Sequence, residues 1–195
     1  EIMDRAGFEV IEVPLGGNRM KKMLRDLKEN PWDLARMMAR KMPHTPKSMM
    51  AGAFIVPLEA PPPRSIVELF HARLVEIGAL NRVQVTANTF GQIELAFPWV
   101  IPMFRKLGLQ IALALSYSIS PRHTDEYYAQ KTREILPFKP DVIYLKDQGG
   151  LLTVDRARTL LPAMVQNANG IPVELHPHCT TGLAPLVYLE ALKMG

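Results

Sequence analysis

Short apolar runs rich in β-branched residues recur along this chain, and each is followed by a turn signal and then by a helical pattern. This alternation is typical of parallel βα units, in which every strand is followed by a helix that covers the sheet. The chain is therefore predicted to adopt an α/β fold. The six predicted strands lie at residues 8–15, 48–53, 82–87, 110–116, 141–146 and 172–178.

The helices between these strands begin with recognisable signals. Each start combines a residue that can accept a backbone hydrogen bond with a charged first turn or a proline. On this basis we predict helices that start at Asn30, Ser65, Thr124 and Thr153.

Six parallel strands can belong to an open doubly wound sheet or to a closed barrel. An open sheet often carries a Gly-rich phosphate loop after its first strand, but Gly16 and Gly17 lack the G-x-G-x-x-G spacing. We therefore predict a (β/α)8 TIM-type barrel, incomplete here, with about six βα units in a single domain over residues 1–195. The first and last units would lie before Glu1 and after Gly195, and the proline-rich stretch 54–63 would be a loop on the active-site face.

Charge and cysteine content argue against several classes of protein. The net charge of +4 comes from basic residues scattered along helices with acids between them, which indicates a solvated surface rather than a nucleic-acid interface. The single cysteine excludes an intrachain disulfide and favours a reducing compartment. No stretch resembles a signal peptide or a membrane span. We expect a soluble, cytoplasmic protein with no direct membrane span.

Charged residues at the carboxyl ends of two predicted strands are the most informative polar positions. Lys146 ends one strand, and His176 and His178 end the next. Residues two apart on a strand point to the same side, so the two imidazoles converge as metal ligands would. Two alternatives remain open: the histidines could cap the strand through backbone hydrogen bonds, and Lys146 could pair with a barrel carboxylate. The ammonium group of a lysine cannot ligate a metal because it has no lone pair, whereas carbamylation by CO2 would turn the side chain into a carboxylate on a long arm.

Other polar residues near strand ends are weaker candidates. Tyr117 and His123 flank the end of the fourth strand and could line a pocket, although a tyrosine hydroxyl bound to a backbone carbonyl is an equal alternative. Thr180 could donate to a substrate or cap the following turn. Cys179 is interpreted as a small buried residue, since no base at suitable spacing is evident. We place His44 and His71 on helix surfaces or loops.

Several motifs together resemble one family, the carboxyltransferase domains of biotin-dependent pyruvate carboxylases and oxaloacetate decarboxylases. Residues 145–153, L-K-D-Q-G-G-L-L-T, are similar to its I-K-D-x-x-G-L-L-T/K, and residues 174–182, E-L-H-P-H-C-T-T-G, contain its L-H-x-H-x-T-[ST]-G. Residues 30–36, 42–46 and 116–124 resemble D-P-W-E-R-x-R, M-P-N-T-P and I-S-Y-T-x-S-P-x-H-T. The resemblance runs in order along the whole chain.

This resemblance implies a (β/α)8 carboxyltransferase domain, related more distantly to hydroxymethylglutaryl-CoA lyase. It implies a divalent metal, zinc, manganese or cobalt, held by carbamylated Lys146, His176, His178 and an aspartate from a strand before Glu1. The metal would polarise a 2-oxo acid so that its enolate gains or loses CO2. Carboxybiotin would be the other reactant.

The resemblance also implies partners. Biotin would be attached to a separate carrier domain or subunit, because Lys193 in the A-L-K-M sequence at 191–194 lies at a helix end rather than on the hairpin that a biotin carrier needs. We expect a biotin carrier, a biotin carboxylase subunit and a small 2-oxo acid as partners, no nucleic acid, and a homo-oligomer.

Departures from the family motifs concern the substrate. The family's F-R-I-F-D is V-Q-V-T-A at 83–87, so Gln84 replaces an arginine and Ala87 an aspartate, and its L-L-R-G is M-M-A-G at 49–52. Losing guanidinium groups removes a bidentate grip on a carboxylate. The predicted catalytic residues are Lys146, Thr180 and Tyr117, and the predicted substrate-binding residues are Gln84, Asp147, Gln148 and Gly17.

Three functions follow as hypotheses. The first is a biotin-dependent carboxyltransferase or an oxaloacetate-decarboxylase-like lyase component, favoured by Lys146 together with the two histidines. The second is a biotin-independent, metal-dependent aldolase or lyase, favoured by Gln84. The third is a non-catalytic paralogue that keeps the barrel for assembly.

Overall fold

The computed structural model describes residues 2–51, 63–86 and 92–195. Ala87 and the stretch 54–62 of the predicted proline-rich loop lie outside the described residues. The strands are β1 Ile11–Glu12, β2 Lys47–Met50, β3 Arg82–Thr86, β4 Gln110–Ser116, β5 Val142–Asp147 and β6 Val173–Pro177. The α-helices are α1 Ile2–Arg5, α2 Gly17–Lys22, α3 Pro31–Lys41, α4 Arg64–Ile77, α5 Phe97–Lys106, α6 Asp125–Ile135, α7 Val154–Asn167 and α8 Ala184–Lys193.

The strands form a sheet in the order in which they occur along the chain, β1-β2-β3-β4-β5-β6. The described pairings, β1 with β2, β2 with β3, β4 with β5 and β5 with β6, are all parallel. To pair in parallel with the strand before it, a strand must start at the same end of the sheet, so the chain needs a crossover connection. Helices form these connections between successive strands. The predicted α/β fold with six strands is therefore confirmed.

The described residues divide into two compact units. The first unit comprises Glu1–Val85 and Glu94–Ile111, and the second comprises Thr86–Ile93 and Ala112–Gly195. Buried side chains of the first unit include Leu15, Leu74, Val83, Phe97 and Phe104, and those of the second include Leu113, Tyr128, Ile135, Ile143 and Leu145. The predicted single domain over residues 1–195 stays a prediction.

Three of the four predicted helix starts are confirmed. The Asn30 side chain accepts a hydrogen bond from the Trp32 amide at the start of α3. Thr124 and Thr153 cap α6 and α7 in the same way, accepting from amides three residues later. Such caps satisfy amides that have no partner inside the helix.

The predicted start at Ser65 is wrong. Helix α4 begins at Arg64, with Pro63 as its cap residue and no side-chain cap. The Pro63 carbonyl accepts from the amides of Ile66 and Val67. Proline favours the first positions of a helix because its backbone angle φ is already close to the helical value. Ser65 therefore lies inside the first turn.

Two side chains differ in burial from their predictions. His71 was predicted at the surface but is fully buried on α4, because its ring packs edge-on against Phe104 with centroids 4.7 Å apart. Cys179 was predicted to be buried but is exposed, since it lies in the segment that follows the end of β6. His44 is exposed, as predicted. Among the described residues, none of the helices combines the length and hydropathy needed to cross a bilayer.

Candidate functional site

The second unit places three polar residues level with one another at the carboxyl ends of its strands. In the parallel register, Ser116 of β4 pairs with Lys146 of β5, and Lys146 pairs with His176 of β6. Residues paired across parallel strands project from the same face of the sheet. We call Ser116, Lys146 and His176 the polar row.

The floor beneath the polar row is apolar. Two residues nearer the amino ends of the strands, Ala114 lies beside Tyr144. Two residues further in the same direction, Ala112 lies beside Val142. These four residues form one buried cluster. Lys146 itself is only 3% exposed. Polar groups above an apolar floor at strand carboxyl ends are the usual arrangement of a barrel active site.

The two histidines lie close to each other, as the sequence predicted. The ring centroids of His176 and His178 are 5.5 Å apart, and the His176 ring lies 6.2 Å from that of Tyr144. His176 is half-buried and His178 is exposed. The backbone amide of His178 donates to the Asp147 carbonyl at 2.8 Å, which ties the end of β6 to the end of β5.

The distance between the two imidazole rings is compatible with a shared divalent ion. Imidazole nitrogens bind zinc at about 2.0–2.1 Å, so two rings on one ion have centroids roughly 5 Å apart, close to the 5.5 Å between His176 and His178. Within the described part of the chain, no three His, Cys, Asp or Glu side chains gather as a metal cluster. A third ligand from this unit would therefore have to be of another type, and Lys146 is the register neighbour of His176.

Gln148 and Asp147, which follow Lys146 in the sequence, lie in different surroundings. The Ser116 hydroxyl donates to Gln148 Oε1 at 3.4 Å, so Gln148 lies beside the polar row. Asp147 follows Lys146 directly and its side chain leaves the opposite face of β5. Asp147 is 1% exposed, and its Oδ2 accepts from the Leu152 amide at 2.7 Å. Its carboxylate shapes the loop after β5, and its predicted role in substrate binding stays a prediction.

Thr180 contacts the neighbouring loop. Its hydroxyl donates to the Gly149 carbonyl, and the Thr181 hydroxyl donates to the Gly150 carbonyl. Gly150 is buried and has a positive φ of 65°. These contacts join the segment after β6 to the loop after β5. The proposed catalytic role of Thr180 stays a prediction.

Tyr117 lies with α6 and α7 rather than with the polar row. It stacks on Tyr128 with centroids 6.2 Å apart, and burial raises its pKa while the neighbouring Arg156 guanidinium opposes the rise. The Tyr128 hydroxyl binds backbone: it donates to the Ser116 carbonyl and accepts from the Ser118 amide. Burial raises the pKa of Tyr128 to about 12.

His123 lines a cavity of about 90 Å³ beside the end of β4. Its Nδ1 lies 2.7 Å from the Ser120 hydroxyl, and its ring meets the edge of Tyr127. The other lining residues are Leu115, Ser116, Ser118, Tyr127, Tyr128 and Lys131.

Gln84 and Gly17 belong to the first unit. Gln84 is fully buried in β3, where its register partner is Met50 and its carbonyl accepts from the Ala51 amide at 2.9 Å. Gly17 is the first residue of α2. Their roles in substrate binding stay predictions.

Ser116, Gly150 and Thr181 were not selected from the sequence. Ser116 ends a predicted strand, as Lys146 does, and that position could have marked it. Gly150 and Thr181 lie inside quoted motifs, but their contact with each other depends on the pairing of β5 with β6.

Known proteins with similar sequences are components of carboxylases and carboxyltransferases. No protein-family model matches the chain. It is 31% identical over 196 residues to a pyruvate carboxylase component of Methanocaldococcus jannaschii, covering 100% of this chain and 34% of that protein. It is 28% identical to the 2-oxoglutarate carboxylase large subunit of Hydrogenobacter thermophilus, covering 100% and 29%. It is 27% identical to the methylmalonyl-CoA carboxyltransferase 5S subunit of Propionibacterium freudenreichii, covering 99% and 38%.

A solved structure matches the fold. The carboxyltransferase domain of Rhizobium etli pyruvate carboxylase superposes with a TM-score of 0.83 at 22% identity, over 95% of this chain and 31% of that one. The predicted incomplete TIM-type barrel is therefore confirmed. This chain spans about a third of the length of the curated relatives.

Proposed function

Because this chain belongs to the family of carboxyltransferase domains found in pyruvate carboxylases, we propose that it carries the carboxyl-transfer site of a biotin-dependent carboxylase. The observation that carries the proposal is the pairing of Lys146 with His176 at the strand ends, with His178 beside them. Relatives named for pyruvate, 2-oxoglutarate and methylmalonyl-CoA support carboxyl transfer as the shared chemistry.

The proposed reaction moves a carboxyl group between biotin and a 2-oxo acid or related acid. The substrate carbon next to the carbonyl loses a proton to give an enolate, and this carbon forms a bond to the carboxyl carbon. The bond from that carboxyl carbon to the biotin nitrogen breaks, and the nitrogen ends with the proton. Run in reverse, the same steps decarboxylate an oxaloacetate-like acid.

His176, His178 and a carbamylated Lys146 would hold a zinc, manganese or cobalt ion. When bound, the ion would polarise the substrate carbonyl and stabilise the enolate. Carbamylation requires the ammonium group of Lys146 to lose one proton, after which the neutral amine nitrogen bonds to the carbon of CO2 and releases a second proton. The product is an anionic carbamate, so an oxygen ligand replaces a cation. An ammonium group at the same place would repel the dication.

The other residues at the strand ends would orient the reactants. The Ser116 hydroxyl and the Gln148 amide lie on the same side as Lys146 and offer both donors and acceptors. The carrier-borne biotin, the carrier itself and the biotin carboxylase belong to the proposal as partners, as does a homo-oligomer. Thr180 and Tyr117 remain secondary catalytic candidates.

Gln84 favours a second candidate function. Where the family has an arginine, this chain has an uncharged amide, so a substrate carboxylate loses a bidentate partner. A metal-dependent lyase or aldolase that works without biotin is the alternative that this residue favours. Biotin dependence of turnover separates the two.

The test uses the full-length protein. Metal content is measured by elemental analysis, and decarboxylation of oxaloacetate and related 2-oxo diacids is measured with and without free biotin. We expect one ion per chain and biotin-dependent turnover. The double variant His176→Ala, His178→Ala should lose both, whereas His44→Ala, which removes an exposed histidine, should lose neither.

Biotin dependence and metal content distinguish the three candidate functions. Turnover without biotin would support the lyase alternative, and absence of metal and turnover from the unmodified protein would support a non-catalytic paralogue. Equal metal content in the double variant and the unmodified protein would contradict the metal site.

A further inference from the structure

The segment that carries His178 is fastened to the loop after β5 at three points. The His178 amide donates to the Asp147 carbonyl at 2.8 Å. The hydroxyls of Thr180 and Thr181 donate to the carbonyls of Gly149 and Gly150. We call this set of contacts the glycine clasp.

Gly150 is the tightest point of the clasp. A Cβ atom placed there would lie 2.6 Å from the His178 carbonyl oxygen and 3.0 Å from the Thr180 amide, and would also collide with the Thr180 hydroxyl. Two of these neighbours are backbone atoms, so they can move only if the segment moves. The φ of 65° at Gly150 adds a second reason why only glycine fits.

Gly149 provides a contrast one residue earlier. A Cβ there would meet only the side chain of Leu151, at 2.9 Å, and more distantly the Asp147 carboxylate at 3.9 Å. Leu151 is 42% exposed and can turn away. The same added methyl group is therefore tolerated at Gly149 and forces a backbone shift at Gly150.

The loop that carries Gly150 is itself held in place. The Asp147 Oδ2 accepts from the Leu152 amide at 2.7 Å, and Asp147 and Leu152 are each only 1% exposed. A buried carboxylate that accepts a backbone amide fixes the start of a loop relative to its end. A shift caused at Gly150 is therefore transmitted to the segment after β6 rather than absorbed by the loop.

We propose that Gly150 is a positioning residue that sets where the His178 imidazole lies relative to His176. Its missing side chain lets the loop after β5 pack directly on the backbone of His178 and Thr180. The consequence for metal binding rests on the proposed function. The consequence for the backbone of His178 does not.

The experiment compares Gly150→Ala with Gly149→Ala in the full-length protein. The first readout is amide hydrogen exchange at His178 without metal, because this amide donates to Asp147 across the clasp. The second readout is the affinity for Co²⁺ by titration. We expect Gly150→Ala to speed the exchange at least tenfold and to weaken Co²⁺ binding by about 10- to 100-fold, the range for groups that orient metal ligands. Gly149→Ala should stay within about twofold on both readouts, since it moves only Leu151.

A third variant covers the case in which Gly150→Ala does not fold. Thr181→Val removes the hydrogen bond to the Gly150 carbonyl and leaves the glycine in place. Its exchange at His178 should rise several-fold. Unchanged protection of His178 in Thr181→Val, or in a folded Gly150→Ala, would overturn the proposal. If exchange rises but the unmodified protein binds no metal, the positioning role stands and the proposed metal site fails.

Discussion

Adjacent residues of β5 have different roles because successive side chains of a strand point to opposite faces of the sheet. Lys146 lies on the face of the polar row, whereas Asp147 projects to the other side and binds the Leu152 amide. The motif that contains both residues therefore has two structural roles: one side chain belongs to the polar row and the next shapes the loop that follows β5.

The first prediction concerns carbamylation of Lys146. Mass spectrometry of the active full-length protein should show an added carboxyl group on Lys146, and Lys146→Ala should lose activity that short carboxylic acids partly restore. Lys47 is the matched control, because it is equally buried and burial lowers its pKa, although Asp4 opposes that shift. Its amine donates to the carbonyls of Met42 and Thr45 and should stay unmodified. A metal-loaded, active protein with plain Lys146 would contradict the prediction.

The second prediction concerns substrate preference at Gln84. With an amide in place of the family's arginine, pyruvate should bind weakly, and Gln84→Arg should increase pyruvate affinity several-fold or more. One charge-assisted hydrogen bond is worth roughly 1.5 to 3 kcal/mol. Pyruvate affinity is measured by steady-state kinetics, with folding checked by circular dichroism because Gln84 is fully buried.

Gln130→Arg is the control for Gln84→Arg. It makes the same change on α6, where Gln130 is exposed and binds Glu134. Strong pyruvate turnover by the unmodified protein would show that Gln84 does not have the role of the family's arginine.

At the scale of elements, α4 carries a histidine where a buried helix face needs an apolar residue. The His71 ring packs against Phe70 and Phe104, and its Nδ1 lies 2.7 Å from the Val67 carbonyl one turn earlier. That carbonyl can only accept, so Nδ1 carries the proton. Burial lowers the pKa of His71 to about 4, although the Val67 hydrogen bond opposes the shift.

The third prediction follows from this pKa. An unfolded histidine has a pKa of about 6.5, so between pH 6.5 and 4 the unfolded chain binds a proton that the folded chain excludes. The contribution of His71 to stability is therefore complete above about pH 6.5 and falls as the pH is lowered towards 4. Denaturant unfolding should show roughly 2 kcal/mol less stability at pH 5 than at pH 7 from this group.

Variants isolate the His71 contribution from other titrating groups. His71→Leu should remove most of the difference in unfolding free energy between the two pH values. His44→Leu, at an exposed position, should leave that difference unchanged. An equal pH dependence in His71→Leu and the unmodified protein would rule out His71 as its source.

At the scale of the whole molecule, the described residues form six strands of a barrel, and the chain spans about a third of the length of its curated relatives. The likeness in sequence covers 100% of this chain, and the likeness in fold covers 95% of it. The substrates named for those relatives differ, although their sequences align with the same residues. The substrate is therefore expected to depend on individual positions such as Gln84 rather than on the fold.

Local sequence patterns were sufficient to predict much of the fold and part of the candidate site. Apolar runs located all six strands, with boundaries that differ mainly at β1, where only Ile11–Glu12 are extended. Asn30, Thr124 and Thr153 were recognised as caps because a cap acts on amides two or three residues away. His176 and His178 were expected on one side because alternation along a strand is also local.

Long-range packing decided the rest. Which residue of β4 lies level with Lys146 depends on the register between strands, and that register placed Ser116 there. The burial of His71 depends on Phe104, which is distant in sequence, and the need for glycine at position 150 depends on the backbone of His178 and Thr180. The sequence by itself determined the strands, three of the four helix caps and the residue types of the site, because these follow from neighbours along the chain. Only the tertiary structure decided which side chains meet, because contacts between distant segments depend on how the strands and helices pack together.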